Sequence, residues 1–344
     1  MTQNDEENTA PKTVNLTANM TGNGSDVDVL IHNIWSYILD NSDEIPPTYE
    51  AKYLLAVLDK AERILEQEPT VLDLQGPLTI IGDIQGHGDS LLTLFSLTSK
   101  LSNQRFLLLG NYSGNGFASH ECLFLLLALK IRYPRKIFLL RGNMEECENA
   151  KAHFFIEGLA VRNLMTTVLI WLSCERIFGL FPLAASVDNR LFCCHGGIGQ
   201  YTLIYGIKTL RNIQRPPVLP KELAITKELL WSCYDSNGDE NESKDNVPHF
   251  NDIQIEDFCL KNSFRMIIRS RQLVYDGILN VSPRLMIIWS AVSFLDSFNN
   301  AAAALVLDES CEKGTVFSYS LYECEPKSLD DTKPAGGRSS LAGP

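Results

Sequence analysis

The sequence predicts an α/β fold, and three observations carry that expectation. Apolar runs of strand length alternate with stretches of helical spacing, the pattern of a chain whose strands and helices pack in layers. The early apolar runs each stop at a polar or glycine-rich turn, as strands buried on both faces do. At 344 residues, 45% hydrophobic and 21% charged, the chain has globular proportions and enough length to bury a core without disulfide staples.

Taken in order, residues 1–26 are rich in Asn, Thr, Asp and Gly, offer little apolar area to offset ordering entropy, and read as a disordered tail. Tyr53 to Glu68 has helical spacing, with Leu54, Leu55, Leu58, Ala61 and Leu65 on one face. Leu78 to Asp83, Arg105 to Asn111, Lys136 to Asn143 and Leu191 to His195 read as buried strands. Leu91 to Lys100 and His120 to Tyr133 fit helices, the second stopped by Pro134. Met266 to Arg269, Arg284 to Ala291, Ala302 to Leu307 and Thr315 to Tyr322 are strand-like and closely spaced, which predicts a more antiparallel sheet from the C-terminal half. Residues 326–344, with scattered prolines, glycines and charges, read as a second tail, leaving one domain over 27–325.

Composition narrows the function classes. With 30 basic against 42 acidic side chains the net charge is −12, and the pI is near 5.0. Phosphate-backbone affinity needs clustered Lys and Arg, so no nucleic-acid partner is expected. No apolar run approaches the ~18 residues of a membrane span, so no membrane partner is expected either. The nine cysteines show no C-x-x-C spacing and fit free thiols in a reducing compartment. The polar, acidic start lacks the apolar core of a signal peptide. A cytoplasmic or nuclear protein is the expectation.

Four strand ends carry the chemistry: Gly82-Asp83-Ile84-Gln85-Gly86-His87, Gly110-Asn111-Tyr112-Ser113-Gly114-Asn115-Gly116, Arg141-Gly142-Asn143-Met144-Glu145 and His195-Gly196-Gly197. In an open α/β sheet, side chains at carboxyl ends of strands converge on one crevice, and oxygen and imidazole groups there suit a metal. Singly each block is a turn; four in order are a pattern. Asp235-Ser-Asn237-Gly-Asp239 imitates a calcium loop but has Glu240 where that loop needs Gly and Asn246 where it needs Glu, and reads as an exposed acidic loop.

With these blocks and flanks such as Phe192-Cys193-Cys194, Leu229-Leu230-Trp231-Ser232 and Gln272-Leu273-Val274-Tyr275-Asp276-Gly277, the chain resembles the phosphoprotein phosphatase family of metal-dependent serine/threonine phosphatases, and is most similar to the type-one enzyme. The resemblance runs from about Val27 to about Glu325 and implies a metallophosphatase-like β-sandwich flanked by helices. It also implies two metal ions that activate a water, a His general acid oriented by an Asp, and Arg clamps on the phosphate. Matched to those motifs, Asp83, Asn143 and His195 are retained metal-ligand positions, while Gln85, Asn111 and Arg271 are substituted ones. Met144 stands at the general-acid position and Gly114 at its orienting position, so no catalytic residue is expected. Asn115 replaces a clamp Arg, no second clamp Arg is found near Lys244, and Phe294 replaces a cleft Tyr.

The formal charge of the ligand positions goes from the family's −2 to 0, with Asp83 as the one anion and Arg271 as a permanent cation. Unit charges about 4 Å apart interact by roughly 4 kcal/mol at an effective dielectric near 20, enough to decide against a two-metal centre. No cofactor is expected, with room for one divalent metal. Arg271 is expected to fill part of the vacated space and pair with Asp83. His87, two residues after Gln85, is a candidate to take over the lost ligand role, although its reach and direction differ.

The resemblance therefore implies a pseudophosphatase, a binding or regulatory scaffold whose partners are phosphatase regulatory subunits or phosphoproteins. The alternative is a weak or specialised hydrolase with one metal on Asp83, Asn143 and His195. A reader of phosphorylated groups would need a cation in the cleft, for which Arg271 is available although the clamp arginines are missing. The type-one family docks short peptides in an apolar groove away from the cleft. Leu191, Met266, Phe317 and Tyr319 match that groove, and core packing accounts for them equally well.

Overall fold

The computed structural model describes residues 25–40, 46–98, 105–163, 165–236 and 247–321. The expected tails, apart from Ser25 and Asp26, and most of the acidic segment after Asp235 lie outside the described residues. In chain order the strands are β1 (Val71–Leu74), β2 (Leu78–Ile81), β3 (Phe106–Leu108), β4 (Ile137–Leu139), β5 (Ala184–Val187), β6 (Leu191–Cys194), β7 (Cys233–Tyr234), β8 (His249–Phe250), β9 (Met266–Arg269), β10 (Ile278–Ser282), β11 (Leu285–Ile288), β12 (Ala302–Leu307) and β13 (Gly314–Tyr319). One sheet has the order β1-β5-β6-β9-β11-β10, a second the order β13-β12-β2-β3-β4, and β7 and β8 pair separately.

The two larger sheets face each other across an apolar layer to which both contribute. Leu72, Ala185, Val187, Leu191, Cys193, Ile268 and Ile288 come from the first sheet, and Leu78, Ile80, Leu107, Leu305 and Leu307 from the second. This is the sandwich that the resemblance implies. Strand alternation sends the other side chains outward, where helices cover them. Ile81, Leu108 and Ala304 join a cluster with the helices Asp26–Asp40, Ala51–Gln67, Gly88–Thr98, Ser119–Arg132 and Thr167–Leu180. Ala184, Phe192, Cys194 and Ile267 pack beneath the helices Gln200–Leu210, Pro220–Trp231 and Asp252–Asn262. No described helix is long and apolar enough to cross a membrane.

The C-terminal strands are antiparallel only in part: β12 and β13 pair as expected, but β9 does not. β9 pairs in parallel with both β6 and β11, and β10 returns antiparallel on β11. β12, apolar and buried at all six positions, crosses to the other sheet and pairs antiparallel with β2, leaving β13 at that sheet's edge. The reason is burial on both faces: β12 satisfies its backbone and two layers of side chains only between two other strands. β2, β3 and β4 run parallel, so their carboxyl ends open on the same side of the molecule.

Candidate functional site

The turns after β2, β3, β4 and β6 bring Asp83, Asn111, Asn143 and His195 into one buried cluster. Their approach depends on backbone geometry. Gly110 has φ of 107°, and a Cβ there would come within 2.4 Å of the Gly142 nitrogen, so glycine lets the loops after β3 and β4 touch. Gln85, Asn111 and Arg271 all sit in the left-handed region, with φ of 53°, 56° and 66°. That conformation is cheap for Asn and strained for the other two.

Glu145, to which the sequence assigned no role, clamps these loops. Its carboxylate accepts from the backbone N–H groups of Asn111 at 2.8 Å, Tyr112 at 3.0 Å and Gly142 at 2.9 Å. Burial pushes its pKa up to about 7 against the pull of those three donors. Ser270 and Ser290, equally silent in the sequence, hold β2 to the other sheet. Ser270 Oγ accepts from Asp83 N at 2.7 Å and donates to Ile288 O at 2.6 Å, while Ser290 Oγ accepts from Gly82 N at 2.8 Å and donates to Ala303 O at 2.6 Å.

Asp83, fully buried, has its charge answered by donors of the chain itself. Its Oδ2 accepts from Gln85 Nε2 at 3.0 Å and Asn111 Nδ2 at 2.8 Å, and its Oδ1 from Arg271 N at 3.1 Å. Asn111 Nδ2 also donates to Asn143 Oδ1 at 2.8 Å, and Asn111 Oδ1 accepts from Met144 N at 2.8 Å. One amide group thus joins Asp83 and Asn143, with both of its N–H bonds used.

His195 Nδ1 lies 3.0 Å from Leu109 O and 3.4 Å from Asp83 Oδ1. Burial pushes its pKa down to about 4, opposed by Asp83 and reinforced by Arg271 and Arg269, so the Asp83 contact is not an ion pair at neutral pH. A neutral ring donates Nδ1–H to the Leu109 carbonyl, which leaves Nε2 as a lone pair facing Asn143 Oδ1 at 2.9 Å.

The positions expected to be substituted catalytic ones, Met144 and Gly114, are packed rather than vacant. Met144 is buried, and its sulfur accepts from Asn149 Nδ2 at 3.4 Å. A Cβ on Gly114 would meet Gln85 Oε1 at 2.2 Å and Gln85 Cα at 2.9 Å, so the side chain of Gln85 and the bare backbone of Gly114 share one space. Phe294 packs on Trp289 at 5.0 Å between ring centroids, and the His87 ring lies toward Phe294 at 6.3 Å rather than in the cluster. Asn115 is exposed. Arg271 corrects an expectation: Asp83 is reached by its backbone N–H, while its guanidinium lies over the Trp231 ring at 5.0 Å and Nε donates to Trp231 O at 3.2 Å. Residue 271 has a positive φ of 66°, with its backbone N–H on the carboxylate and its guanidinium on Trp231.

The donor set does not fit a two-metal centre. It holds one carboxylate, and the amide at 111 presents nitrogen to Asp83 and Asn143. The groove positions are also separated. Leu191 and Met266 are register partners on β6 and β9. Phe317 and Tyr319 lie opposite Ala304 and Ala302 on the outer face of the second sheet, where Tyr319 packs on the helical cluster. The β13 residue that shares the inner face with Leu305 is Val316, 45% exposed.

Residues 76–270 match the model of the calcineurin-like phosphoesterase family. The chain is 34% identical over 262 residues to the serine/threonine-protein phosphatase BSL2 of Arabidopsis thaliana, covering 72% of this chain and 26% of that protein, so it spans about a quarter of that relative's length. It is 33% identical over 273 residues to the serine/threonine-protein phosphatase 4 catalytic subunit of Kluyveromyces lactis, covering 79% of this chain and 85% of the relative. In fold it is similar to a serine/threonine phosphatase of Saccharomyces cerevisiae described as having similarity to human PP5, with a TM-score of 0.72 at 23% identity over 86% of this chain and 98% of that one.

Proposed function

Because the chain belongs to the calcineurin-like phosphoesterases, among the serine/threonine protein phosphatases, we propose that it is a catalytically inactive phosphatase that acts by binding partners. The observation that carries this is the Asn111 amide, whose nitrogen is bonded to Asp83 and Asn143. In an active site of this family those acceptors face cations that activate the attacking water. Here an internal N–H group answers them, and protonation of a leaving group has no donor, since Met144 offers a thioether and Gly114 no side chain. The Kluyveromyces relative is by name a catalytic subunit, and the partners proposed for this chain are regulatory subunits of that kind or phosphoproteins.

One observation favours the second reading, a hydrolase with a reduced metal site. His195 Nε2 and Asn143 Oδ1 are two acceptors 2.9 Å apart, a pair that a bound cation would satisfy. Elemental analysis of the purified protein, with phosphopeptide turnover measured in added manganese, separates the two. The scaffold predicts no stoichiometric metal and no turnover. Bound metal with turnover that His195→Ala abolishes would establish the hydrolase instead.

A further inference from the structure

We propose that Arg271 and Trp231 form a metal-free recognition ledge for the phosphoryl group of a phosphorylated partner, an inference that rests on reading the chain as an inactive, binding phosphatase. Three anchors preorganise the ledge. The Arg271 backbone N–H is fixed on Asp83 Oδ1 at 3.1 Å, its Nε on Trp231 O at 3.2 Å, and its guanidinium over the Trp231 ring at 5.0 Å. The ring is held in turn by its indole N–H, which donates to Glu146 Oε2 at 2.6 Å.

Among the described residues the two terminal nitrogens of Arg271 make no hydrogen bond, and the side chain is half-buried. What remains is a planar fork of N–H donors stacked on the Trp231 ring, already anchored through Nε and so spared part of the entropy of ordering a free side chain. That fork matches two oxygens of a phosphoryl group, and its permanent charge needs no metal. The two carboxylates bonded to the ledge among the described residues have other donors: Asp83 accepts from Gln85, Asn111 and the Arg271 backbone, and Glu146 from the indole. Arg269, whose guanidinium is buried two residues away, adds to the positive potential.

The test follows the Trp231 indole N–H by NMR in full-length protein with EDTA present, assigned by Trp231→Phe, during titration with N-acetylphosphoserine amide and, separately, N-acetylglutamate amide. The expected result is a saturable shift with phosphoserine at least tenfold tighter than with glutamate. Arg271→Gln, which keeps the backbone N–H on Asp83, should weaken it at least tenfold, and Arg271→Lys should not restore it because an ammonium lacks the fork. No shift, an equal response to glutamate, or an undiminished response in Arg271→Gln at unchanged melting temperature would overturn the ledge. If the protein holds no metal and turns nothing over, such a result removes the ledge alone. Bound metal with turnover would remove the scaffold reading beneath it.

Discussion

At the scale of single residues, the site is shaped by substitutions that fit one another. Asn111 and Asp differ by an amide for a carboxylate, and at φ of 56° both tolerate the backbone, so Asn111→Asp changes chemistry with little change of shape. It would replace two buried hydrogen bonds with a carboxylate facing Asp83. We expect a loss of about 2–4 kcal/mol in chelator, measured by denaturant unfolding and reduced by manganese if the new carboxylate recruits the ion. Gly114 and Gln85 form a second matched pair. Gly114→Ala should cost about 1–3 kcal/mol from overpacking against Gln85, and less in a Gln85→Ala background, which relieves the contact with Oε1 but leaves those with the Gln85 backbone. Additive costs in that double-mutant cycle would refute the shared space. Each substitution could be read from the sequence singly, but which residue touches which could not, because Gln85 and Gly114 lie 29 positions apart and meet only through the loop that follows β3.

Elements place these residues, and their legibility in the sequence followed periodicity. Ala51–Gln67 and Ser119–Arg132 lie within two residues of the stretches that helical spacing predicted, and β9 and β12 have the predicted bounds. β1 and β5 were not identified: the turns after them, at Gly76-Pro77 and Asp188-Asn189, are legible, but Asp73 interrupts the apolar run of β1 and β5 is small residues apart from Val187. Sheet membership was harder still, since an apolar run does not name its neighbours. Of the last strands, β12 and β13 pair antiparallel as expected, while β9 and β11 pair in parallel and lie in the other sheet, because β12 crosses to β2. The tie across that crossing is made by two serines. Ser270→Ala strands the buried Asp83 N–H and Ile288 carbonyl, and Ser290→Ala strands the Gly82 N–H and Ala303 carbonyl. Each should cost about 1–3 kcal/mol in denaturant unfolding. A neutral Ser270→Ala would mean that this hydroxyl does not hold the end of β2.

For the whole molecule, buried titratable groups set the response to acid. Burial and the nearby Arg162 push His120 down to about 4, and His195 is likewise pushed to about 4 by burial. Both rings are neutral when folded and bind a proton near pH 6.5 when unfolded, so the stability they lend is present above 6.5 and is lost as pH falls to about 4. Glu145 acts in the opposite sense. Its raised pKa gives stability that is present below about 4.5 and lost as pH rises through about 7. Burial also pushes His87 down and Glu228 up, so three imidazoles stand against two carboxyls and melting temperature should fall between pH 6.5 and 4.5. His120→Gln should flatten that slope by about one proton, a contribution on the order of 3 kcal/mol at most. A pH-independent melting temperature over that range would contradict the burial of these rings.

The class of fold, the family and the identity of every group at the four strand ends were legible before any folding, because those features are written in local periodicity and in blocks of fixed order. Residue type alone also supports the expectation that Met144 and Gly114 stand where a general acid and its orienting carboxylate would be. Only the tertiary structure decided where Arg271 directs its charge, that one amide answers both Asp83 and Asn143, and that Glu145, Ser270 and Ser290 hold the site together. Those outcomes depend on the directions of side chains brought together from distant parts of the chain, which hydrogen bonding and close packing fix only once the two sheets have met.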